Sequence, residues 1–232
     1  MDDVSSPPTS SRRAQRLADG VYSVMLDRLI SNGIKPGARI TVDGLSRELE
    51  VSQTPVREAL TRLESDGLVV KVHLVGYRAT TQLNEEQLEN LIAIRLLLEP
   101  ATAAKAATRR TEEMREEMVE SAAKMARIAS KFRQPTYGEF ALEDAHLHDL
   151  IAVAGGNELL RESLTRLHSH LHLFRLNFDS TVTSASISEH QAVIDAIVNK
   201  DARAASGAMR AHLQNSRSRL RDALPSVPTK SV

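Results

Sequence analysis

The segment Leu45–Val69 constrains the fold of this chain more than any other. Apolar residues close one short amphipathic run at Leu45–Val51, and a second run begins at helical spacing over Val56–Leu63. Very few residues separate the two runs. Two short helices joined by so tight a turn predict a helix-turn-helix, whose second helix enters the major groove of DNA.

The residues around this turn are suited to starting and stopping helices. Ser52 or Thr54 can accept hydrogen bonds from the free N–H groups of the next turn, and Pro55 suits a first helical position. Gly67 is placed to end the second helix. The capping pattern therefore supports the same prediction as the apolar spacing.

The flanking sequence completes a small DNA-binding domain. An amphipathic helix is predicted from about Arg13 to Ser31, before the Asn32-Gly33 turn. After the second helix, two β-prone segments, 68–73 and 77–80, surround a turn that contains Gly76. A hairpin of this size predicts the wing of a winged helix.

The stretch VSQTPVREALTRLESDGLV resembles the signature of the GntR family of bacterial transcription regulators. In that family a Pro-Val-Arg-Glu-Ala-Leu segment opens the recognition helix. Residues at the start of such a helix reach base edges, and neighbouring or wing residues contact the backbone or the minor groove. The candidate DNA-binding residues are Ser52, Gln53, Thr54, Arg57, Arg62, His73, Gly76 and Arg78.

Two positions depart from the family pattern, and one alternative stays open. Related regulators often carry arginine where this chain has Gln53, and usually a basic residue where it has Val75. The base preference can therefore differ from the usual one. In the alternative, Arg57 only pairs with Glu58 or Asp66 on the surface.

Composition narrows the partners of the chain. The 30 basic and 30 acidic residues balance, but residues 11–80 carry 11 Lys and Arg against 8 Asp and Glu, a weak basic surplus. The absence of cysteine excludes disulfides, and the few aromatic residues favour duplex over single-stranded nucleic acid. No apolar run approaches the ~18 residues of a membrane span and no signal peptide is evident, so we expect a cytoplasmic protein without a membrane partner.

Everything beyond residue 84 has a helical pattern. The fold class expected is mainly α: a winged helix-turn-helix at 13–80, a linker at 81–84 and an all-α helical-bundle domain at 85–222. Residues 1–12 are expected to be a disordered arm and residues 223–232 a flexible tail. Pro100 predicts a kink or break. The predicted helices are 84–107, 111–132, 136–154, 157–178, 185–199 and 201–222.

Seven of the eight histidines lie in this helical domain. Asp144 and His148 are one helical turn apart, which places both side chains on one face about 6 Å apart. Together with His190 and His212, they provide a carboxylate and three imidazoles, a set that suits zinc, nickel, iron or manganese. Packing or surface histidines are the alternative interpretation.

The helical domain resembles the effector domain of the FadR-type branch of the GntR family. The segments that carry the resemblance are IRLLLEPATAAKAA (94–107), DAHLHDLI (144–151), GGN (155–157) and EHQAVIDAI (189–197). This branch often holds a metal with an Asp and three His. The resemblance implies a divalent metal ion, zinc before nickel, iron or manganese, held by Asp144, His148, His190 and His212.

Two further residues are candidates for effector binding. Arg95 precedes Glu99 by one helical turn, so it either forms an intrahelical pair or points its guanidinium at an effector carboxylate. Related regulators use arginine in the second way. His170 is a candidate pocket residue; no role is assigned to His168 or His172.

The sequence therefore predicts a homodimeric, ligand-responsive transcription regulator, a repressor that binds a palindromic double-stranded DNA operator and senses a small organic acid at a metal-containing pocket. A helical-bundle metalloenzyme that uses the Asp/His set is the rival from another class. It leaves the Leu45–Val69 signature without a role, and it offers no evident general base among the neighbouring carboxylates. A regulator with an apolar effector and no metal is the third interpretation.

Overall fold

The computed structural model describes residues 9–130, 137–176 and 180–224. The chain divides into two compact units, Met1–Thr81 and Gln82–Val232. The expected fold class, mainly α with an N-terminal winged helix-turn-helix and a C-terminal helical domain, is confirmed. Within the described ranges, no helix combines the length and the apolar character needed to cross a membrane.

The first unit is a winged helix-turn-helix. Its elements are α1 (Thr9–Ile30), β1 (Arg39–Ile40), α2 (Val42–Glu48), α3 (Gln53–Ser65), β2 (Val69–Val72) and β3 (Gly76–Ala79). The sheet is antiparallel in the order β1-β3-β2, with Ile40 opposite Tyr77. Two features differ from the predictions. Helix α1 begins four residues before Arg13. Strand β1 was not predicted, because its two residues are too few to show the apolar–polar alternation of a strand. Residues 1–8 of the expected arm lie outside the described residues.

The helix-turn-helix has a connection of only four residues, Leu49–Ser52. Thr41 caps α2 by accepting a hydrogen bond from the N–H of Gly44 at 3.2 Å. Ser52 occupies the N-cap position of α3, but its side chain makes no capping bond. Pro55 was predicted at the first position of α3, but it is the third residue of this helix. It is tolerated there because the N–H groups of the first turn have no partner inside the helix.

The end of α3 is fixed by backbone geometry. The N–H of Leu68 donates to the carbonyl of Leu63 at 2.9 Å, and that of Gly67 donates to Glu64 at 3.0 Å. These two bonds form a Schellman motif, and Gly67 supplies the left-handed residue it needs, with φ of 71°. The predicted stop signal at Gly67 is thus confirmed.

The core of the first unit lies between α1 and α3. Their buried apolar side chains include Met25, Leu29, Val56, Leu60 and Leu63. Fully burying each of these side chains contributes about 1.5–3 kcal/mol. Because the core takes this face of α3, the opposite face at its start remains on the surface.

The second unit is entirely helical within the described residues. Its helices are α4 (Glu85–Arg109), α5 (Glu112–Ser130), α6 (Tyr137–Gly155), α7 (Glu158–Arg166), α8 (Ser169–Phe174), α9 (Ser180–Val198) and α10 (Ala202–Asp222). Helix α4 packs along α10 and α6, and α9 packs against α10 and α5. The predicted connection at Pro135 and the tail at 225–232 lie outside the described residues.

Three helix predictions in this unit differ from the structure. Helix α4 continues through Pro100 without the break that was one of the two expected outcomes, because Glu99, Pro100 and Thr102 are all buried and packing outweighs the local cost of ~3 kcal/mol. The predicted helix 157–178 is broken by His168, whose φ of 44° and ψ of 32° separate α7 from α8. Helix α9 begins at Ser180, in the segment predicted as a connection.

The early start of α9 shows tertiary packing overriding local preference. Thr183 and Ser186 are only 1% and 5% exposed, although serine and threonine favour turns and caps over helix interiors. Burial against the neighbouring helices therefore stabilises a turn of helix that its composition disfavours.

One chemical change at two glycines of the first unit should have opposite effects. Gly67→Ala forces a β-carbon into the left-handed region and should destabilise the chain by about 1–2 kcal/mol. Gly20→Ala lies inside α1 with no atom within 4 Å of the added carbon, so it should stabilise by up to about 1 kcal/mol. Urea denaturation of the full-length variants measures both. Shifts of the same sign would contradict the assignment of Gly67 as a left-handed cap.

Candidate functional site

The four predicted metal ligands come together inside the second unit. Asp144 and His148 project from α6, His190 from α9 and His212 from α10, and all four are buried. The Nε2 atoms of His148 and His190 are 3.1 Å apart, and Nε2 of His190 lies 3.4 Å from Oδ1 of Asp144. One ligand atom from each of the three histidines lies within 4.8 Å of the others. Asp144 groups in the same way with His148 and His170, so the four predicted ligands lie in one polar cluster in which the two groups share His148.

The pattern of α6 explains why its two donors face inward. Phe140, Leu147 and Ile151 are buried on the inner face of this helix. Asp144 and His148 stand at the i+4 and i+8 positions from Phe140, so they occupy the same stripe. Polar side chains therefore replace apolar ones on a core-facing surface, which requires partners for them.

Two carboxylates orient the imidazoles from outside. Nδ1 of His148 lies 2.6 Å from Oε2 of Glu99, and Nδ1 of His212 lies 2.9 Å from Oε2 of Glu189. Because an ionised carboxylate only accepts, each imidazole carries its proton on Nδ1. The Nε2 atoms of His148 and His212 are then the unprotonated ring nitrogens. A cation could bind them in place of the contact between Nε2 of His148 and Nε2 of His190, as in carboxylate–histidine–metal arrangements.

Sequence reasoning missed both of these carboxylates. It considered only residues beside His148 on α6, whereas Glu99 comes from α4 and Glu189 from α9. The one available signal was local: Glu189 directly precedes His190, and Glu99 was assigned only as a partner of Arg95. Both carboxylates are engaged in hydrogen bonds, so neither is a free general base.

Burial and charge set the protonation states of the cluster. Burial lowers the pKa of His170 from 6.5 to about 4, and it also lowers the pKa values of His190 and His212. Burial alone would raise the pKa of Asp144, but the nearby His170, His190 and His148 lower it below its ordinary value. Neutral imidazoles around an ionised carboxylate at pH 7 are the donor set that a divalent cation requires.

The outer carboxylates are also ionised. The pKa of Glu99 lies well below 4.5, because Arg95 and His148 outweigh the opposing effect of burial. Burial would raise the pKa of Glu189, but hydrogen bonds from Arg219 and His212 lower it to about 2. The charges around the cluster therefore persist throughout the neutral pH range.

His170 joins the cluster through Asp144. Its Nδ1 contacts Oδ2 of Asp144, on the side of the carboxylate away from His190. Ligand atoms of Asp144, His148 and His170 also lie within 4.8 Å of one another. The contact between His170 and Asp144 depends on the break at His168, because α8 then takes a different direction from the one a continuous helix would have had. His146 is exposed on the outer side of α6.

The structure shows the first of the two interpretations of Arg95, the intrahelical pair. Arg95 is 2% exposed and forms this pair with Glu99: Nε donates to Oε1 of Glu99, and Nη2 donates to Oε2 at 3.3 Å. It also lines a cavity of about 30 Å³ together with Asp144, His170 and His212. A cavity of this size holds about two waters, so a larger ligand requires side chains to move.

The start of α3 presents the predicted DNA-reading side chains on the surface. Gln53, Thr54 and Arg57 are exposed. The amide of Gln53 donates to Oδ1 of Asp43 at 2.6 Å, and Nη2 of Arg57 donates to Oε1 of Gln53 at 3.1 Å. Arg57 therefore pairs with Gln53, and not with Glu58 or Asp66. Asp43, on α2, was not identified from the sequence.

The remaining DNA-binding candidates of the first unit differ in whether they already make contacts within it. Ser52 and His73 are exposed. Arg62 donates to Asp19 at 2.6 Å, and its guanidinium carbon lies 4.2 Å from the ring centroid of Tyr22, so α1 already engages it. Arg78 is exposed and donates to the carbonyl of Gly37 at 3.0 Å.

Gly76 has a structural requirement of its own. Its φ is 105°, and a β-carbon there would lie 3.0 Å from the carbonyl oxygen of Ile40. Only glycine fits this turn without strain. The residue type at position 76 is therefore explained by the wing itself, without reference to DNA.

Comparison with known proteins agrees with this architecture. Residues 17–78 match the family described as "Bacterial regulatory proteins, gntR family", and residues 90–215 match the FCD domain. The Uxu operon transcriptional regulator of Escherichia coli is 29% identical over 91% of this chain and 89% of its own length. LutR of Bacillus subtilis, a helix-turn-helix transcriptional regulator, is 29% identical over 81% of this chain and 94% of its own.

Solved structures share the fold. E. coli McbR/YncC superposes with a TM-score of 0.66 at 22% identity, covering 89% of this chain and 97% of its own. A GntR regulator from Rhodococcus sp. RHA1 gives 0.68 at 19% identity, covering 92% and 100%. The family matches indicate a transcription regulator and not an enzyme. Since the FCD match alone spans more than half of the residues, this chain belongs to the GntR family of bacterial transcription regulators, with an FCD effector domain.

Proposed function

We propose that this regulator is a dimeric repressor that binds a palindromic operator and releases it in response to a small organic acid, which it senses at a metal-containing pocket. The observation that carries the proposal is the buried group of His148, His190 and His212, with Asp144 3.4 Å from His190. A buried set of ionisable side chains without a ligand to bind would be a costly way to build a helical core.

The metal would be held by Asp144, His148, His190 and His212. When bound, it would supply a Lewis-acidic centre to which the carboxylate of an organic acid can attach. Three imidazoles and one carboxylate favour zinc, with nickel, iron or manganese as alternatives. Glu99 and Glu189 orient two of the imidazoles and increase their basicity.

The effector would lie in the adjoining cavity, against Arg95 and His170. Arg95 uses Nε and Nη2 for Glu99, while its Nη1 makes no hydrogen bond within the described part of the chain. That nitrogen is therefore available to a ligand carboxylate. An anionic ligand would also offset the positive charge that a bound cation adds to the site.

A path for the response begins at α8. This helix carries His170 and also Leu173 and Phe174 of the cavity wall. The carbonyl of Arg175, directly after α8, accepts a hydrogen bond from the side chain of Gln82, the first residue of the second unit. A ligand that displaces α8 would therefore act on the segment that follows the DNA-binding unit. Only a ligand with different affinities for two conformations can shift their populations.

On the DNA side, the exposed Gln53, Thr54 and Arg57 on α3 support base reading, with Ser52, His73, Arg78 and the wing turn at Gly76 for the backbone or minor groove. A twofold-symmetric dimer would read two half-sites of a palindrome. Relatives GlaR and RspR of E. coli, at 24% and 25% identity, are described as transcriptional repressors. Binding to chromosomal DNA would place the protein in the cytoplasm.

Arg57→Ala tests the DNA-reading assignment. A preferred duplex is first selected from random double-stranded DNA with the wild-type chain, and affinities are then measured by fluorescence anisotropy. We expect Arg57→Ala to lose about 10- to 100-fold in affinity for the selected duplex, since a good base contact is worth about 1–3 kcal/mol. Arg166→Ala, at an exposed arginine of α7, is the control and should bind like wild type. Unchanged binding by Arg57→Ala would refute the assignment.

Glu189→Gln tests the metal site. Loss of the charged acceptor of His212 should weaken Zn²⁺ binding about 10- to 100-fold, the usual effect of changing a residue that orients a ligand. The matched control is Asp195→Asn, an exposed acid on the same helix whose side chain accepts a hydrogen bond from Gln191. Zn²⁺ affinity is measured by competition with a chromophoric chelator. Equal affinities for the two variants would remove Glu189 from the site.

A thermal-shift screen tests the effector class. Small carboxylic acids are added to the metal-loaded chain, with and without a chelator. We expect at least one acid to raise the unfolding temperature, and a ligand at 100 times its Kd stabilises by about 2.7 kcal/mol. The chelator should abolish the shift. An acid that stabilises equally after chelation would contradict a metal-dependent pocket, and stabilisation by apolar compounds alone would favour an apolar effector.

A further inference from the structure

Residues 12–16 of α1 form an exposed basic segment that no motif explains. Residues 12–17 are all exposed, and burial begins only at Ala18. Arg16 lies four residues after Arg12 and three after Arg13, so the three arginines fall within about 100° on one side of the helix. None of the three makes a hydrogen bond or an ion pair with any residue that the structure describes. The segment therefore presents three positive charges directly to solvent.

These charges are unfavourable for α1 itself. The helix begins at Thr9, its first turn contains no acidic residue, and cations near a helix N-terminus oppose the macrodipole. Arg12 and Arg16 also form a like-charge pair at i,i+4 spacing, which destabilises an isolated helix. A local arrangement that lowers stability without an evident gain in packing indicates a function elsewhere.

The contacts between α1 and α3 show which way this segment extends. Asp19 contacts Arg62 at 2.6 Å, and Tyr22 contacts Asp66 at 2.7 Å, so residue numbers increase in the same direction along both helices. The part of α1 before Asp19 therefore leaves the crossing on the same side as the part of α3 before Arg62. That side of α3 carries Arg57 and the start of the helix.

Distance along the helix axes supports the same placement. At 1.5 Å per residue, Arg12 lies about 10 Å before Asp19, and Arg57 lies about 7.5 Å before Arg62. Asp19, which contacts Arg62 of α3, belongs to the same helical face as Arg12 and Arg16. The basic face therefore lies toward the same end of the α1–α3 pair as the DNA-reading residues of α3, and its charge complements that of phosphates.

We propose that Arg12, Arg13 and Arg16 form a second DNA contact, which binds the phosphate backbone beside the half-site that α3 reads. This inference rests on the proposed DNA-reading function. The three arginines would add affinity without sequence preference, since phosphate contacts position a protein and base contacts specify its site. They would also make binding more sensitive to salt through release of counterions.

The test compares two triple variants with the same change in charge. In the first, Arg12, Arg13 and Arg16 are all replaced by Gln, which keeps helix propensity. In the control, three exposed arginines of α10, Arg203, Arg210 and Arg221, are replaced by Gln. Affinities for the selected duplex and for a scrambled duplex are measured over a range of salt concentrations.

For the α1 variant we expect a flatter plot of log affinity against log salt, by about 0.9 for each phosphate that is no longer neutralised. The change is about 2.7 for the three arginines of one protomer and about 5.4 for a dimer on two half-sites. Affinity for both duplexes should fall by the same factor, so their ratio stays at the wild-type value. The unfolding temperature should stay the same or rise, because unfavourable charges leave the helix N-terminus. The α10 variant should keep the wild-type slope.

Two failures are distinguishable. If the α1 and α10 variants show the same slope while the wild-type chain discriminates between the duplexes, the phosphate contact is refuted and DNA reading by α3 stands. If the wild-type chain binds the selected and the scrambled duplex with equal affinity, the proposed function itself fails. A changed ratio for the α1 variant would also overturn the inference, since it would show that the arginines read bases.

Discussion

Two buried carboxylates, Glu99 and Asp144, govern how the helical unit is built. An unpaired carboxylate in a protein interior costs several kcal/mol, so each must find charged or polar partners. Glu99 meets Arg95 on its own helix and His148 on α6, and Asp144 meets His170 on α8 and His190 on α9. The partners come from different helices. The polar cluster therefore fixes how these helices are placed around one another, while apolar packing supplies most of the stability.

The two units use charge in opposite ways. In the polar cluster of the second unit, ionisable side chains are buried, and imidazoles whose pKa values burial lowers lie around Asp144, whose pKa is also lowered. In the first unit, the charged groups of α1 and α3 lie on the surface, where Arg57 is held by Gln53 and Gln53 by Asp43. Buried charge favours a rigid site for one small ligand. Exposed charge suits a long anionic partner such as duplex DNA, because it remains free to form contacts without first breaking a buried network.

The places where prediction failed have a common cause. A continuous helix over 157–178 follows from local propensity, yet His168 adopts a left-handed conformation there. Local propensity also disfavours a helix through Thr183 and Ser186, and a continuous helix at Pro100, but burial stabilises both. Glu99 and Glu189 could not be assigned to His148 and His212, because their pairing joins residues 49 and 23 positions apart. Each outcome depends on contacts between distant segments, which local patterns do not contain.

The sequence by itself determined the helix-turn-helix and its wing, because caps, apolar periods and the Gly67 stop act within one or two turns of the chain. Spacing on α6 likewise determined that Asp144 and His148 share a face. Only the tertiary structure decided that His190 and His212 meet them, that His170 reaches Asp144, and that Arg95 serves both Glu99 and the cavity. The physical reason is that burying polar side chains costs desolvation free energy. Only hydrogen bonds and ion pairs with residues distant in the sequence offset this cost, and those form only when several helices pack together.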